Sequence, residues 1–483
     1  MLEARELSFS YDGKTPVIDS ASTILQPGEI VLLTGATGSG KSTLAKCLSG
    51  FIPRTIEGDY SGSIMIDNED VSSLSISEYA KRVALVQQDT DGQICTLNVA
   101  DEVAFGPENF GIPSNDLDTL ITDSLDAVGA LHLKDRSTQE LSGGEKQRIV
   151  IAAMLACQPN YLILDEPSSS LDPKGAIQLR DVLIDLKSKG LGIMVIEHQF
   201  PAFLPVADRI LKISEGKIES WIPDETTFRH TLQIGMPITK AETIRIRDVS
   251  FSYGDRKAVN QVSMEISQGE LVAVMGDNGS GKTTLLGLVA GLLQPDEGEI
   301  FLDDVAINSL NRRELAGKNG VVFQNPNHQI FERTVWKEHV LGLDVLGFSF
   351  EDYSLTAEQS LDQVGLLGMR DRNPFSLSHG QKRRLNVSSV TIHKPKVFLF
   401  DEPFIGQDAY GRRIITQKMT DHVKAEGTCI VVTHDPIFAS QFCSRIIFMD
   451  EGSILFDGLP QSVLSSLESM GRSEYTSPEA NPD

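Results

Sequence analysis

The sequence predicts an α/β fold present twice in one chain, and three observations carry that expectation. Several short stretches recur in the same order in the two halves. In each half an apolar run leads into a glycine-rich turn and then a helical pattern. In each half a second apolar run ends in two adjacent carboxylates, the mark of a buried parallel strand meeting its ligand end.

The repeats come in chain order. "LSFSYDG" at 7–13 returns as "VSFSYGD" at 249–255, and "GATGSGKST" at 35–43 as "GDNGSGKTT" at 276–284. "VALVQQDTDGQI" at 83–94 returns as "NGVVFQNPNHQI" at 319–330, "YLILDEP" at 161–167 as "VFLFDEP" at 397–403, and "VIEH" at 195–198 as "VVTH" at 431–434. Gly35 and Gly276 are 241 positions apart, whereas Gln88 and Gln324, Asp165 and Asp401, and His198 and His434 are all 236 apart. The first half therefore carries five extra residues near "IPRTIEGDYSG" and keeps register afterwards. That pattern is two copies of one domain. The expected division is a first domain at 1–223, a linker at 224–241, a second domain at 242–470 and a frayed polar tail at 471–483.

Composition narrows the function. Lys and Arg number 43 against 67 Asp and Glu, a formal net charge of −24 over 483 residues. Such a field repels phosphate backbones and argues against a nucleic-acid partner. Five scattered cysteines without a CxxC pair read as reduced thiols of a cytosolic protein. The longest apolar runs fall well short of the roughly 18 residues of a membrane span, and no secretory signal is expected at the N-terminus.

The chemistry begins at the glycine-rich turns. Both fit G-x-x-x-x-G-K-[ST] between a strand and a helix. Gly35, Ala36, Thr37, Gly38, Ser39, Gly40, Lys41, Ser42 and Thr43 form the first loop, and Gly276, Asp277, Asn278, Gly279, Ser280, Gly281, Lys282, Thr283 and Thr284 the second. Backbone N–H groups at a helix N-terminus cradle phosphates there, and Lys41 and Lys282 reach the β- and γ-phosphates. Ser42 and Thr283 offer hydroxyls to Mg²⁺. Of the pairs Asp165–Glu166 and Asp401–Glu402, one carboxylate can hold the Mg²⁺ shell while its neighbour orients water as a general base.

The order of phosphate loop, Gln loop, "LSGGEKQR", "LILDEP", "SSSLD" and "VIEH" resembles the ATP-binding-cassette (ABC) ATPases over nearly the whole chain, twice. The resemblance implies two tandem ABC-type P-loop NTPase domains, each with a mainly parallel sheet core, an antiparallel β subdomain and a helical signature-motif subdomain. It implies ATP and Mg²⁺ as cofactors. Asp165 and Asp401 would hold the metal with Ser42, Thr283, Gln88 and Gln324, and Glu166 and Glu402 would be the catalytic carboxylates. Gln88 and Gln324 would also touch the attacking water, His198 and His434 the γ-phosphate, and Tyr11 and Tyr253 the adenine. The signature residues Ser142, Gly143 and Gly144, and Ser378, His379 and Gly380, would each cap the nucleotide held by the other cassette. Asp172 and Asp408 would lie between the two sites.

His379 stands where the first copy has Gly143. Its neighbours Ser378, Gly380 and Gln381 remain, so the expectation is a tolerated change at a helical φ. The run "QDTDGQICTLNVADEVAFGPENFGI" resembles more narrowly the energy-coupling-factor (ECF) vitamin and metal-ion importers. That implies a transmembrane coupling subunit and a substrate-capturing membrane subunit as partners, and a peripheral place on the cytoplasmic face of the cell membrane. The alternatives are a fused two-cassette sugar-importer ATPase and a duplicated-cassette translation factor of the ribosome.

Overall fold

The computed structural model describes residues 1–222 and 242–475, apart from 37, 91, 170 and 198–201. The chain divides into two compact units, Met1–Phe228 and Arg229–Asp483. The expected linker at 224–241 lies outside the described residues.

In the first unit a six-stranded sheet runs in the order Lys217–Ser220, Arg209–Ser214, Ile30–Thr34, Gly192–Ile196, Tyr161–Asp165, Val83–Val86. All neighbours are parallel except the outer pair at 209–220. Four strands have every residue buried, which is why they read as continuous apolar runs. Alternation places their side chains on two faces. Ile30, Leu32, Leu162 and Leu164 pack into a core with the helices, and Val31, Leu33 and Ile163 into one with a second, antiparallel sheet. That sheet pairs Leu2–Ser10 with Ile18–Leu25 and Asp59–Ile66. Helices Val99–Asn109, Ser114–Ala127 and Gly143–Ala156 make the helical part.

The second unit repeats this topology. Its sheet runs Asn319–Val322, Val397–Asp401, Thr428–Val432, Leu271–Gly276, Arg445–Asp450, Ser453–Gly458. The helices are Val335–Leu346, Phe350–Gln363 and His379–Thr391. The expected α/β class with two tandem phosphate-loop domains is the observed one. The five extra residues of the first half fall between Gly50 and Gly62, where the chain makes a single kinked turn at Phe51–Arg54. Arg54 fastens that insertion by donating to Leu74 O at 2.8 Å and lying over the Tyr79 ring.

The tail expected to fray from 471 does not begin there. Pro460–Ser469 is a helix, and Ser473–Tyr475 a further turn. Tyr475 is fully buried, its ring 5.0 Å from that of Phe448 in an edge-to-face pair. One aromatic residue in a polar stretch outweighs the composition around it, because burying a ring contributes on the order of 2 kcal/mol.

Candidate functional site

Each phosphate loop turns tightly between its strand and its helix. Lys41 and Lys282 open helices Lys41–Leu48 and Lys282–Val289, and the preceding Gly40 and Gly281 have φ of 105° and 98°. A Cβ on Gly281 would stand 2.2 Å from Ala258 O, so the turn excludes any side chain there. Lys41 Nζ donates to Gly35 O and Ala36 O, both at 2.9 Å, and Lys282 Nζ to Gly276 O at 2.9 Å and Asp277 O at 2.7 Å. The buried hydroxyls of Ser39 and Ser280 have no hydrogen-bond partner among the described residues. Buried donors left in this way fit a polyanion as the missing partner. Thr37 lies outside the described residues.

The carboxylate pairs stand at the ends of buried strands, as expected. Burial pushes the Asp165 carboxyl up to about 6, against a hydrogen bond from Ser42. Burial also raises Asp401, while Thr283 Oγ1 donates to its two oxygens at 3.0 and 3.2 Å. A hydroxyl beside a desolvated carboxylate, with Asp165 Oδ1 buried and unpaired among the described residues, suits a small hard cation. The residues present therefore fit Mg²⁺.

Glu166 and Glu402 carry the backbone into the left-handed region, at φ of 51° and 45°. Side chains seldom accept this conformation, and it costs on the order of 1 kcal/mol. Glu166 N–H donates to Ile196 O at 2.9 Å and Glu402 N–H to Val432 O at 3.0 Å, which holds the turn. Each glutamate is thereby swung away from its aspartate neighbour. Gln88 Nε2 donates to Glu166 Oε2 at 2.6 Å. In the second unit His434 Nε2 stands 3.3 Å from Glu402 Oε1. Burial, reinforced by the Asp401 charge, pushes the Glu402 carboxyl up to about 8. Burial beside Lys282 pulls His434 down to about 3, so its imidazole is neutral. His198 lies outside the described residues.

Tyr11 and Tyr253 are about half exposed, and each ring is held edge-on by Phe9 or Phe251. The Tyr11 hydroxyl pairs with Thr43 Oγ1 at 3.2 Å, which ties the ring to the phosphate-loop helix. The signature helices begin as expected. Ser142 and Ser378 are N-caps, and each forms a reciprocal capping box with the residue three positions on, Glu145 or Gln381. Neither Gly143 nor His379 needs a positive φ, so histidine is tolerated at the first helical position. Ser142, Gly143 and Ser378 are exposed, whereas His379 is half-buried. Asp172 and Asp408 are N-caps too, accepting from Gly175 N and Gly411 N at 2.7 and 2.8 Å.

Three features had not been singled out. Glu197, in the "VIEH" run, is buried and accepts from Ser168 N–H at 2.9 Å and its hydroxyl at 2.6 Å. Burial pushes it up to about 8, so the first unit holds a third, protonated carboxyl behind Asp165 and Glu166. The second copy has Phe404 and Thr433 at these two places, and that joint change was the signal in the sequence. Arg383, fully buried, donates to Phe323 O and Gln324 O and so fixes the second Gln loop from the signature helix. Gln93 and Gln329 are loop clamps: their Oε1 atoms accept from Gln87 N and Phe323 N at 2.6 and 2.9 Å.

The model of the family described as ABC transporter matches residues 18–169 and 259–405. A protein of Bacillus subtilis named as a candidate HMP/thiamine import ATP-binding protein, YkoD, is 33% identical over 96% of this chain and 92% of its own. An ABC transporter ATP-binding protein of Methanosarcina mazei, also named as a candidate, is 33% identical over 99% of this chain and 92% of its own. Among solved structures, the archaeal ribosome recycling factor aABCE1, bound to the ribosomal stalk protein aP1, has the same fold, with a TM-score of 0.65 and 21% identity over 96% of this chain and 92% of that one. The chain belongs to the ABC transporter family and is an ATPase with two cassettes in tandem.

Proposed function

We propose that this chain is the ATP-hydrolysing subunit of an ECF-type importer for a vitamin or metal ion. The observation that carries the reading is the 33% identity, over almost the full length of both chains, to a relative named for HMP/thiamine import. The "EVAFGPENFGI" run supports it. No helix among the described residues is long and apolar enough to cross a membrane, so separate membrane subunits would carry the cargo.

In this reading the two cassettes close on each other. Ser142 faces the nucleotide on Lys282, and Ser378 the one on Lys41. The N-termini of both signature helices present backbone N–H groups to that anion. Ser42 with Asp165, or Thr283 with Asp401, would hold Mg²⁺, which would neutralise phosphate charge. Gln88 holds the Glu166 carboxylate towards the water position, and Glu166, or Glu402 once it has released its own proton, accepts the proton of that water. Neutral His434 offers one ring N–H as a donor to the transferred phosphate. Binding pulls the cassettes together and hydrolysis releases them, and that motion drives the membrane subunits.

The translation-factor reading has only fold likeness behind it, and a −24 chain is poorly matched to ribosomal RNA. Copurification from gently solubilised membranes tests the proposal. Recovery of two small integral membrane proteins with the chain is expected. Recovery with ribosomes instead would overturn it.

A further inference from the structure

The second phosphate loop contains a carboxylate that the first lacks: Asp277 stands where the first copy has Ala36. A free carboxylate there opposes the triphosphate the loop is built to hold. In the second unit that side chain is tied down. The Tyr475 hydroxyl donates to Asp277 Oδ1 at 2.5 Å, and Arg472 Nη1 lies 3.8 Å from Oδ2. Arg472 is itself anchored, with Nη2 on Asp450 Oδ2 at 2.8 Å and its guanidinium over the Phe448 ring.

The strand Arg445–Asp450 also bears directly on the loop. A Cβ on Gly276 would stand 2.1 Å from Met449 O. Lys282 Nζ bonds the backbone oxygen of the same Asp277 whose carboxylate the C-terminal turn grips. So one residue is held from inside by the phosphate-binding lysine and from outside by the chain's last described turn. In the first unit the matching positions are Ala36 and Ser214, which offer no carboxylates for such a grip.

We propose that Arg472 and Tyr475 are positioning residues of the second nucleotide site, holding Asp277 away from the phosphates so that this loop binds ATP. The inference rests on the Lys282 loop holding nucleotide. Removing the grip frees a negative charge beside the phosphates and loosens the backbone that Lys282 is bonded to. It leaves the Lys41 site untouched.

The test uses the full chain with Lys41→Ala, so that a fluorescent ATP analogue with Mg²⁺ reports the second loop alone. Tyr475→Phe keeps the buried ring and its packing on Phe448. It is expected to weaken binding about fivefold, and together with Arg472→Gln about twentyfold. Asp277→Ala should make the loop indifferent to Tyr475: in that background Tyr475→Phe is expected to change affinity by less than about twofold. A purely structural tyrosine would weaken binding equally with or without Asp277. In the Lys282→Ala chain, which reports the first loop, Tyr475→Phe should have no effect. Unchanged affinity on Tyr475→Phe, equal losses at both loops, or a loss that persists with Asp277→Ala would each overturn the inference. Failure of the Lys41→Ala chain to bind any analogue would instead overturn the reading of the second loop, and the inference with it.

Discussion

Replacing Arg383 by glutamine is the sharpest test of how the second cassette is wired. Its guanidinium is fully buried and donates to Phe323 O and Gln324 O, and the first unit has a buried glutamine, Gln147, at the same place. Glutamine therefore fits the volume but cannot reach both carbonyls with a charge. Each charge-assisted hydrogen bond contributes about 1.5–3 kcal/mol, and an abandoned buried carbonyl adds desolvation cost. Burial pulls the guanidinium pKa down to about 10 even with the Asp401 and Glu402 charges acting to hold its proton. Losing the cation also leaves those two carboxylates less compensated. Removing one partner of a buried charged contact costs about 3–5 kcal/mol, which at about 2–4 °C per kcal/mol lowers the melting temperature of a domain this size by about 6–20 °C. The chain has two tryptophans, Trp221 and Trp336. With Trp221→Phe, fluorescence on heating follows Trp336 in the helical part of the second unit, where Arg370 lies over its ring at 4.4 Å. A shift below about 2 °C would refute the argument that this guanidinium clamps the Gln loop.

Four further outcomes are expected. Lys41→Ala with Lys282→Ala should abolish nucleotide binding by equilibrium dialysis; retained affinity would remove both loops from the site. Glu166→Gln and Glu402→Gln should each lower turnover of the assembled transporter only in part, with a several-fold difference for a contact difference of about 1 kcal/mol; one variant at full turnover beside one dead variant would show a single working site. His339 is buried neutral, with burial pulling its pKa from 6.5 to about 4, so the unfolded chain binds more protons in that window and stability falls as pH drops through it, by about 3 kcal/mol at most; His339→Gln should flatten this acid slope in urea unfolding, and an unchanged slope would place the effect elsewhere. The "DGQI" and "NHQI" runs of the two Gln loops are expected to border the groove that receives a membrane subunit, so charge reversal at Asp91 together with Asn327→Asp should weaken assembly and spare nucleotide binding; intact assembly would place the docking surface elsewhere.

Much of this molecule was legible because its chemistry is local in sequence. A strand, a glycine turn and a helix start occupy some twenty consecutive residues, and two in-register copies made the assignment firm. The helical φ at His379 followed from steric limits on a β-carbon. What escaped is what depends on distant partners. Arg383 sits just beyond the signature residues 378–380, to which the expected chemistry was assigned, and its acceptors lie 59 and 60 positions away. Tyr475 sits in a polar tail, and its partner Asp277 is 198 positions earlier. Glu197 was passed over because its neighbour His198 carried the motif, and the matching change at Ser168 shows only once the strand ends are adjacent.

The duplication itself has a consequence for heredity. Were the cassettes separate copies of one chain, every substitution would appear in both at once. A carboxylate placed in one phosphate loop would burden the other, and a phenylalanine at 404 would displace the serine that Glu197 needs. Covalent tandem fusion removes that symmetry. Ala36 and Asp277, Gln147 and Arg383, and Ser168 and Phe404 are three places where the two copies differ. A lineage that carries both copies on one chain can therefore assign them unequal tasks one substitution at a time, with a one-to-one ratio guaranteed by the peptide bond.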